Sequence, residues 1–272
     1  MGFTELRMYA EVFNDVQEFR KVTLNKLRSD TVNDEAGRFS HMAKVFDEVE
    51  HEMSMGMKRE LRKTVGPAVL AWQKSQSGIG EHLLARLIGT IGNPYLATPY
   101  RWQGTGEDRV LVEDPPYVRS VGQLWAYCGH GDPERKMRKG ITAEELAEMG
   151  NPKAKMLVHL LAEACVKGGV RKDKTGETEE RTAISHYGQV YLDARKLYAD
   201  ATHRRDCVRC GPSGKPALAG SPLSKAHQNA AALRKVGKEL LKDLWTAARE
   251  DAGTGAACSD SEEETPAEEL SA

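Results

Sequence analysis

The sequence has few aromatic residues, few cysteines and no long apolar run. Aromatic residues make up 6% of its 272 residues. No stretch of about 18 apolar residues is present, which argues against a transmembrane helix, and the first residues lack the pattern of a secretory signal peptide. The five cysteines are an odd number, which is not typical of the disulfide frameworks of secreted proteins. We therefore expect a protein of the reducing cytoplasm.

The charges are balanced overall but unevenly distributed. The chain has 39 Lys+Arg and 40 Asp+Glu, and residues 250–272 contain eight of the acidic residues and no basic one. The remaining 39 basic and 32 acidic residues differ by +7, and residues 200–249 alone hold ten basic and four acidic residues. This distribution favours a polyanionic partner and an acidic tail that competes for the same surface. A solvated surface with a solubilising tail explains the charges equally well.

Apolar periodicity predicts a mainly α fold without a convincing set of alternating strands. Residues 4–29 and a second stretch through Leu61 form two amphipathic helices, which we expect to make a helical hairpin or coiled-coil arm over residues 1–64. A helical domain should follow over residues 65–249, and residues 250–272 should be a disordered acidic tail. Within the domain, helices are predicted at 120–128, 142–149, 152–166, 182–202 and 224–249, with loops at 93–117 and 168–181. Thr142 and Glu145 form a predicted capping box, and Gly150 a helix stop.

The segment Ser77-Gly78-Ile79-Gly80 lies between two apolar helical stretches. A helix, a tight glycine turn and a second helix form the pattern of a helix-hairpin-helix. The glycines of such a turn let the backbone approach a phosphate, and the free N–H groups of the next helix bind it. Gly78, Ile79 and Gly80 are therefore predicted to contact DNA. A simple turn between two packed helices explains the same residues.

A second candidate for phosphate contact follows the Gly-rich turn at residues 129–131. Four basic side chains occur there within five positions, namely Arg135, Lys136, Arg138 and Lys139. Basic side chains on a loop commonly contact DNA phosphates. Solvated surface charge is the alternative interpretation.

Two histidines and two cysteines are candidate metal ligands. His203 precedes Cys207-x2-Cys210, and sixteen residues separate Cys210 from His227. The two-residue spacing lets both thiolates face one ion, which predicts a zinc knuckle inserted at residues 203–227. A redox dithiol and unligated surface cysteines are the alternatives. The spacing supports the two cysteines as ligands more strongly than it supports the two histidines.

Several landmarks occur in a characteristic order. Gly78-Ile79-Gly80 is followed by residues 120–129, then by Gly140-Ile141-Thr142, Gly150-Asn151 and a closing helix at 235–241. This order resembles the C-terminal domain of insertion-sequence transposases related to the Piv/MooV DNA invertases, over roughly residues 65–249. The resemblance implies DNA binding through residues 78–80 and 135–139, and multimerisation through the helical arm.

The chain departs from that family in two respects. The family places an essential serine in the loop before Gly140, whereas this chain has no serine between Ser120 and Ser185. A serine hydroxyl is needed to form a covalent bond to phosphate. The family also has an N-terminal RNase H-like domain with four acidic metal ligands. In this sequence only about 64 helical residues precede the match, and the resemblance implies that they correspond to the family's coiled-coil arm.

We therefore expect a DNA-binding protein, homo-oligomeric through the arm, that has no strand-transfer chemistry of its own. Two other functions fit the same residues. One is a transposase subunit completed by a partner that supplies the acidic nuclease domain, and the other is a zinc-stabilised adaptor that binds proteins. A structured RNA is an alternative nucleic-acid ligand.

Overall fold

The computed structural model describes residues 2–29, 34, 37–131, 141–175, 178–208, 210–211 and 215–259, and it confirms the mainly α fold. The helices are α1 (Gly2–Arg28), α2 (Arg38–Thr64), α3 (Pro67–Ser75), α4 (Glu81–Ile91), α5 (Val121–Tyr127), α6 (Ala143–Glu148), α7 (Pro152–Gly169), α8 (His186–Leu197) and α9 (Lys225–Ser259). The strands are β1 (Leu96–Ala97), β2 (Tyr100–Gln103), β3 (Val110–Glu113), β4 (Tyr117–Val118), β5 (Val170–Thr175) and β6 (Thr178–Ala183). Across the described ranges, no helix combines the length and apolarity that a membrane span requires.

The six strands correct the two loop predictions. They form three antiparallel pairs, β1 with β4, β2 with β3, and β5 with β6. β5 and β6 consist largely of charged residues and threonine, so they lack the alternation of apolar and polar residues that marks a half-buried strand. The other four strands are at most four residues long, which is too short for a periodic signal.

α1 and α2 form the predicted antiparallel hairpin, but its base belongs to the main core. Leu6, Phe13 and Met57 are buried together with residues of α4, α7 and α9. Gly89 of α4 allows this close approach, because an added Cβ there would lie 2.8 Å from the carbonyl oxygen of Leu6. Among the described residues, those of α1 and α2 nearer the turn between them are not part of this core cluster.

α9 continues beyond the predicted start of the disordered tail. It runs to Ser259, and Asp251 accepts hydrogen bonds from the backbone N–H groups of Ala68 (2.8 Å) and Val69 (3.2 Å) at the start of α3. The prediction of disorder from residue 250 is thus wrong as far as residue 259. The small residues at 252–257 gave no apolar periodicity, and the capping role of Asp251 depends on a tertiary contact. Residues 260–272 lie outside the described part of the chain.

The local signals around α6 are confirmed. Glu145 N–H donates to the Thr142 hydroxyl (3.2 Å), and the Glu145 carboxylate accepts from Thr142 N–H (3.0 Å), which completes the predicted capping box. Gly150 has a φ of +79°, as a helix stop of this kind requires. α7 begins directly afterwards, at Pro152.

Candidate metal centre and nucleic-acid interface

A short irregular segment between α8 and α9 carries three of the four predicted metal ligands, His203, Cys207 and Cys210. Backbone hydrogen bonds pair its two sides: His203 N–H donates to Ser221 (2.8 Å), and Cys207 N–H donates to Ala217 (2.8 Å). Ser224 caps the start of α9 by accepting the N–H of His227 (3.2 Å). The segment therefore places two cysteines and one histidine beside the first turn of α9, which contains the second histidine.

The ligand atoms of His203, Cys207, Cys210 and His227 lie within 4.8 Å of one another. Nδ1 of His227 is 3.4 Å from Sγ of Cys210 and 4.0 Å from Sγ of Cys207. The imidazole rings of His203 and His227 are 5.1 Å apart between centroids. The four residues predicted from spacing thus form one group that can hold a metal ion.

Burial distinguishes this group from surface cysteines. Cys207 and His203 are buried, at 7% and 4% exposure. Nε2 of His203 is buried and has no hydrogen-bond partner among the described residues. A buried polar atom without a partner costs free energy, and a metal ion bound to Nε2 of His203 would remove that cost.

The glycine turn at Gly78–Gly80 joins α3 and α4 as predicted, but most of it faces the core. Gly78 has a φ of +90°, and an added Cβ would lie 2.5 Å from the carbonyl oxygen of Ala164 in α7. The side chain of Ile79 is buried, and its carbonyl accepts a hydrogen bond from Gln73 (2.7 Å). Of the three residues, only Gly80 faces open space. Packing against α7 explains Gly78, and burial in the core explains Ile79, so DNA contact at this turn remains a prediction.

The first turn of α4 also carries a carboxylate. Glu81 accepts two hydrogen bonds from Arg62, at 2.9 and 2.7 Å, and this pairing lowers the pKa of Glu81. Because Arg62 neutralises this carboxylate, the pair adds no net charge at the helix N-terminus.

The predicted loop contacts Arg135, Lys136, Arg138 and Lys139 lie outside the described residues. The chain enters this segment from His130 and Gly131, whose surroundings are described. Arg234 of α9 donates hydrogen bonds to both their carbonyl oxygens, at 3.0 and 3.3 Å. Lys155 of α7 packs at the neighbouring Gly129, where an added Cβ would lie 2.8 Å from its Cδ.

Basic side chains from α7 and α9 therefore surround the turn at His130. Burial, followed by the charges of Arg234, Lys155 and Lys238, lowers the pKa of His130 to about 3. Neither nitrogen of this buried ring has a hydrogen-bond partner within the described ranges. The imidazole is consequently neutral at pH 7, in strongly positive surroundings.

Lys238 connects this basic group to α5. Its Nζ lies 4.4 Å from the ring centroid of Trp125, whose indole N–H donates to the Lys238 carbonyl (2.9 Å). Partial burial and the nearby Arg234 and Lys235 lower the pKa of Lys238. Lys155, Arg234 and Lys238 beside His130, together with Lys235 beside Lys238, thus form a "basic patch". His130 and Gly131 are the last described residues before positions 132–140.

Sequence reasoning missed the basic patch because its members are far apart in the chain. Lys155 and Arg234 are brought together only by the packing of α7 against α9. The local signals were the excess of basic residues at 200–249 and the spacing of Arg234 and Lys238, four residues apart and so on one face of α9.

Two buried thiols and a second cluster of possible metal ligands are weaker candidates for a functional site. Burial raises the pKa of the thiols of Cys128 and Cys165 to about 12, so neither is a nucleophile at neutral pH. Ligand atoms of His186, Glu239 and Asp243 also lie within 4.8 Å of one another. However, Asp243 accepts a hydrogen bond from Tyr187, and Glu239 is paired with Lys242. Existing protein contacts explain these carboxylates.

A scan against protein-family models, a search of curated proteins and a search of solved structures each found no match to this chain.

Proposed function

We propose that the chain is a zinc-stabilised DNA-binding protein. The observation that supports DNA binding is the basic patch, in which Lys155, Arg234 and Lys238 converge from two helices on the turn at His130. Basic side chains that converge on one surface create a positive potential there, which favours an anionic ligand. The four basic residues at 135–139 follow Gly131 by four to eight positions in the sequence, and we propose that they act with the patch on one polyanion.

Salt dependence gives the proposal a quantitative form. Each DNA phosphate neutralised by a lysine or arginine releases counterions and contributes about −0.9 to the slope of log K against log salt. Contact with about five phosphates predicts a slope near −4 to −5 on duplex DNA. A protein that binds through apolar or neutral contacts would show a much shallower slope.

The experiment is fluorescence anisotropy with duplex, four-way-junction and single-stranded DNA and with a structured RNA, over a salt series. The test variant is Lys155→Gln, Lys235→Gln and Lys238→Gln combined, which should make the slope shallower by about 2 to 3. The control is Lys21→Gln, Lys44→Gln and Lys167→Gln combined, which removes the same charge from other surfaces.

Equal weakening by both triple variants would show that net charge, not the basic patch, governs binding. Tighter binding of RNA than of DNA would show that RNA, not DNA, is the ligand. If no nucleic acid binds at low salt, the DNA-binding proposal fails and a zinc-stabilised adaptor becomes the leading function.

We propose zinc as the ion because of the donor set. Two thiolates and two imidazoles are a common structural zinc set, with Zn–S near 2.3 Å and Zn–N near 2.0–2.1 Å. Tetrahedral geometry with those bond lengths places neighbouring ligand atoms about 3.3–3.8 Å apart. The Cys210–His227 distance of 3.4 Å falls in this range, and the Cys207–His227 distance of 4.0 Å is slightly above it. With four protein ligands the site is closed, which is typical of structural rather than catalytic zinc.

The test of the zinc site is the metal content of the purified protein by mass spectrometry, followed by Co²⁺ substitution. We expect one zinc per chain, and a Co²⁺ spectrum with thiolate charge-transfer bands and tetrahedral d–d bands. The double variant Cys207→Ser and Cys210→Ser should lose the bound zinc and the Co²⁺ spectrum and should have a lower melting temperature. His159→Gln changes an exposed histidine of α7 and should alter none of these three properties. Unchanged metal content in the double cysteine variant would exclude the site.

A further inference from the structure

Arg119 is a buried arginine between two exposed residues. It lies between β4 and α5 and is 6% exposed, whereas Val118 is 58% exposed and Ser120 is also exposed. Its side chain therefore enters the fold from a segment that runs along the surface. The guanidinium lies over the ring of Tyr127, with Cζ 5.0 Å from the ring centroid, and Tyr127 is itself 37% exposed. A positive charge is thus held close beneath the surface of the protein.

Hydrogen bonds on both sides of the residue hold the backbone of Arg119 in place. Its N–H donates to the carbonyl oxygen of Tyr95 (2.8 Å), and its carbonyl oxygen accepts the indole N–H of Trp245 in α9 (2.6 Å). The rings of Tyr95 and Trp245 meet edge to face, with centroids 5.4 Å apart. Because two packed aromatic residues fix its backbone, Arg119 cannot move as a whole toward solvent without breaking these contacts.

The charge of Arg119 has no partner in the described part of the chain. Nη1 is buried and makes no hydrogen bond there, and no carboxylate forms an ion pair with the guanidinium. His130, which is also buried, avoids a buried charge by staying neutral, but an arginine side chain is always protonated in a protein. The other buried charged side chains among the described residues each have a partner: Glu50 has Arg20, Glu60 has Lys63, and Arg86 has Asn14.

A bound oxyanion would complete this arrangement. A buried charge without a partner costs free energy, and stacking on Tyr127 offsets that cost only in part. The planar guanidinium can donate two parallel hydrogen bonds to two oxygens of one carboxylate or phosphate group. An oxyanion at Arg119 would therefore supply both the missing acceptors and the missing negative charge.

Two further cations favour phosphate over a carboxylate, because phosphate carries more negative charge. Arg249 is exposed, and its Cζ lies 5.0 Å from the ring centroid of Trp245, the residue that holds the Arg119 carbonyl. Lys238 precedes Trp245 by seven residues, which places it on the same face of α9 and about 10 Å along the helix. Both cations strengthen the positive potential around Arg119.

We propose that Arg119 anchors a phosphate-binding site where β4, α5 and α9 meet, with the ring of Tyr127 as one wall and Arg249 at the rim. The phosphate is either a free anion or part of a nucleic-acid backbone, since a guanidinium recognises both through the same hydrogen bonds. The site does not depend on the proposed DNA binding, because the argument for it begins from the unpartnered charge of Arg119.

The first test is thermal unfolding of the full chain without nucleic acid, in sodium phosphate and in sodium chloride of equal ionic strength. We expect phosphate to raise the melting temperature, because a ligand that binds only the folded state stabilises it. Arg119→Met should weaken phosphate binding about tenfold or more. Arg59→Met removes an exposed arginine from α2 and should leave phosphate binding unchanged.

Three outcomes of this test would overturn the proposal. Equal stabilisation of wild type, Arg119→Met and Arg59→Met would be a general salt effect. Equal stabilisation by sodium acetate at the same ionic strength would show that the site does not select phosphate. Arg119→Met should be at least as stable as wild type in chloride, because it removes a buried charge that has no partner and keeps an apolar stem. A less stable variant would show that the fold already satisfies the guanidinium.

Arg119→Lys examines the geometry in a protein that keeps the charge. A lysine cannot donate the paired hydrogen bonds of a guanidinium, so this variant should bind phosphate more weakly than wild type. Wild-type phosphate affinity in Arg119→Lys would contradict recognition by the guanidinium.

Fluorescence anisotropy with duplex DNA at constant salt identifies the source of the phosphate. A backbone phosphate predicts weaker DNA binding by Arg119→Met than by Arg59→Met, which removes the same charge elsewhere. A free anion predicts equal DNA binding by these two variants, together with the loss of phosphate stabilisation in Arg119→Met alone. If the chain binds no DNA, the unfolding experiment still decides whether the site exists.

Discussion

Replacing Gly78 with alanine tests whether the glycine turn between α3 and α4 is built for packing. Gly78 has a φ of +90°, and a non-glycine residue in the left-handed region costs about 1–2 kcal/mol. The added Cβ would also lie 2.5 Å from the carbonyl oxygen of Ala164 and 2.6 Å from Cα of Cys165. Both are backbone atoms of α7, so the helix itself must move, and overpacking of this kind costs about 1–3 kcal/mol. We expect Gly78→Ala to lower the free energy of unfolding by about 2–5 kcal/mol.

Urea unfolding followed by circular dichroism measures this loss, with Gly80→Ala as the matched control. Gly80 has a φ of −76° and no atom within 4 Å of an added Cβ. As a helix N-cap it should cost less than about 1 kcal/mol when changed to alanine. Wild-type stability in Gly78→Ala, or equal losses in the two variants, would refute the packing argument. Conversely, a stable Gly80→Ala protein that binds DNA more weakly would support DNA contact at the exposed end of the turn.

Three further predictions concern pH and the C-terminal region. The pKa of His130 in the folded protein, about 3, lies below the ordinary value of 6.5, so its contribution to stability is fully present above about pH 6.5 and is lost as the pH falls. NMR titration should find the ring neutral from pH 5 to 8. His130→Gln should make the free energy of unfolding less pH-dependent over pH 4.5–6.5. Asp251→Ala should lower the free energy of unfolding by about 1 kcal/mol through loss of the α3 cap, measurable by urea unfolding, and a change below about 0.3 kcal/mol would contradict that role. A chain ending at Ser259 lacks six of the eight acidic residues of 250–272 and should bind DNA more tightly without loss of stability, whereas a chain ending at Arg249 also loses the cap; anisotropy and thermal unfolding of the two chains separate these effects.

Much of the helical framework could be predicted because its signals are local. The Thr142–Glu145 capping box, the stop at Gly150 and the apolar stripe of α7 each lie within a few residues, and each is confirmed. The β-hairpins could not be predicted in the same way. β5 and β6 are largely charged, so their pairing depends on backbone hydrogen bonds between strands and leaves little apolar pattern. The helical extension to Ser259 was likewise hidden, because residues 252–257 are small or polar.

In the candidate site, too, the residues with local signals could be predicted and those assembled by tertiary packing could not. Only two residues separate Cys207 from Cys210, so their spacing indicated a metal group, and the fold brings His203 and His227 to them. The basic patch combines Lys155 with α9 side chains that are about 80 residues away, and only tertiary packing assembles it. For the glycine turn, the sequence predicted the conformation but not which surface of the turn faces solvent.

α9 links the metal group to the basic patch. His227 lies in its first turn, and Arg234 and Lys238 follow seven and eleven residues later, within about 20° of His227 around the helix axis. At a rise of about 1.5 Å per residue, the two groups are roughly 10–16 Å apart on one face of a single rigid element. An ion at His227 would fix the start of α9 against the segment that carries Cys207 and Cys210. Removing the ion would therefore loosen the end of α9 nearest the basic patch. Zinc chelation should then weaken DNA binding before the fold is lost, in proportion to fraying of the first turns of α9, and DNA binding unaffected by complete zinc removal would show that the two sites act independently.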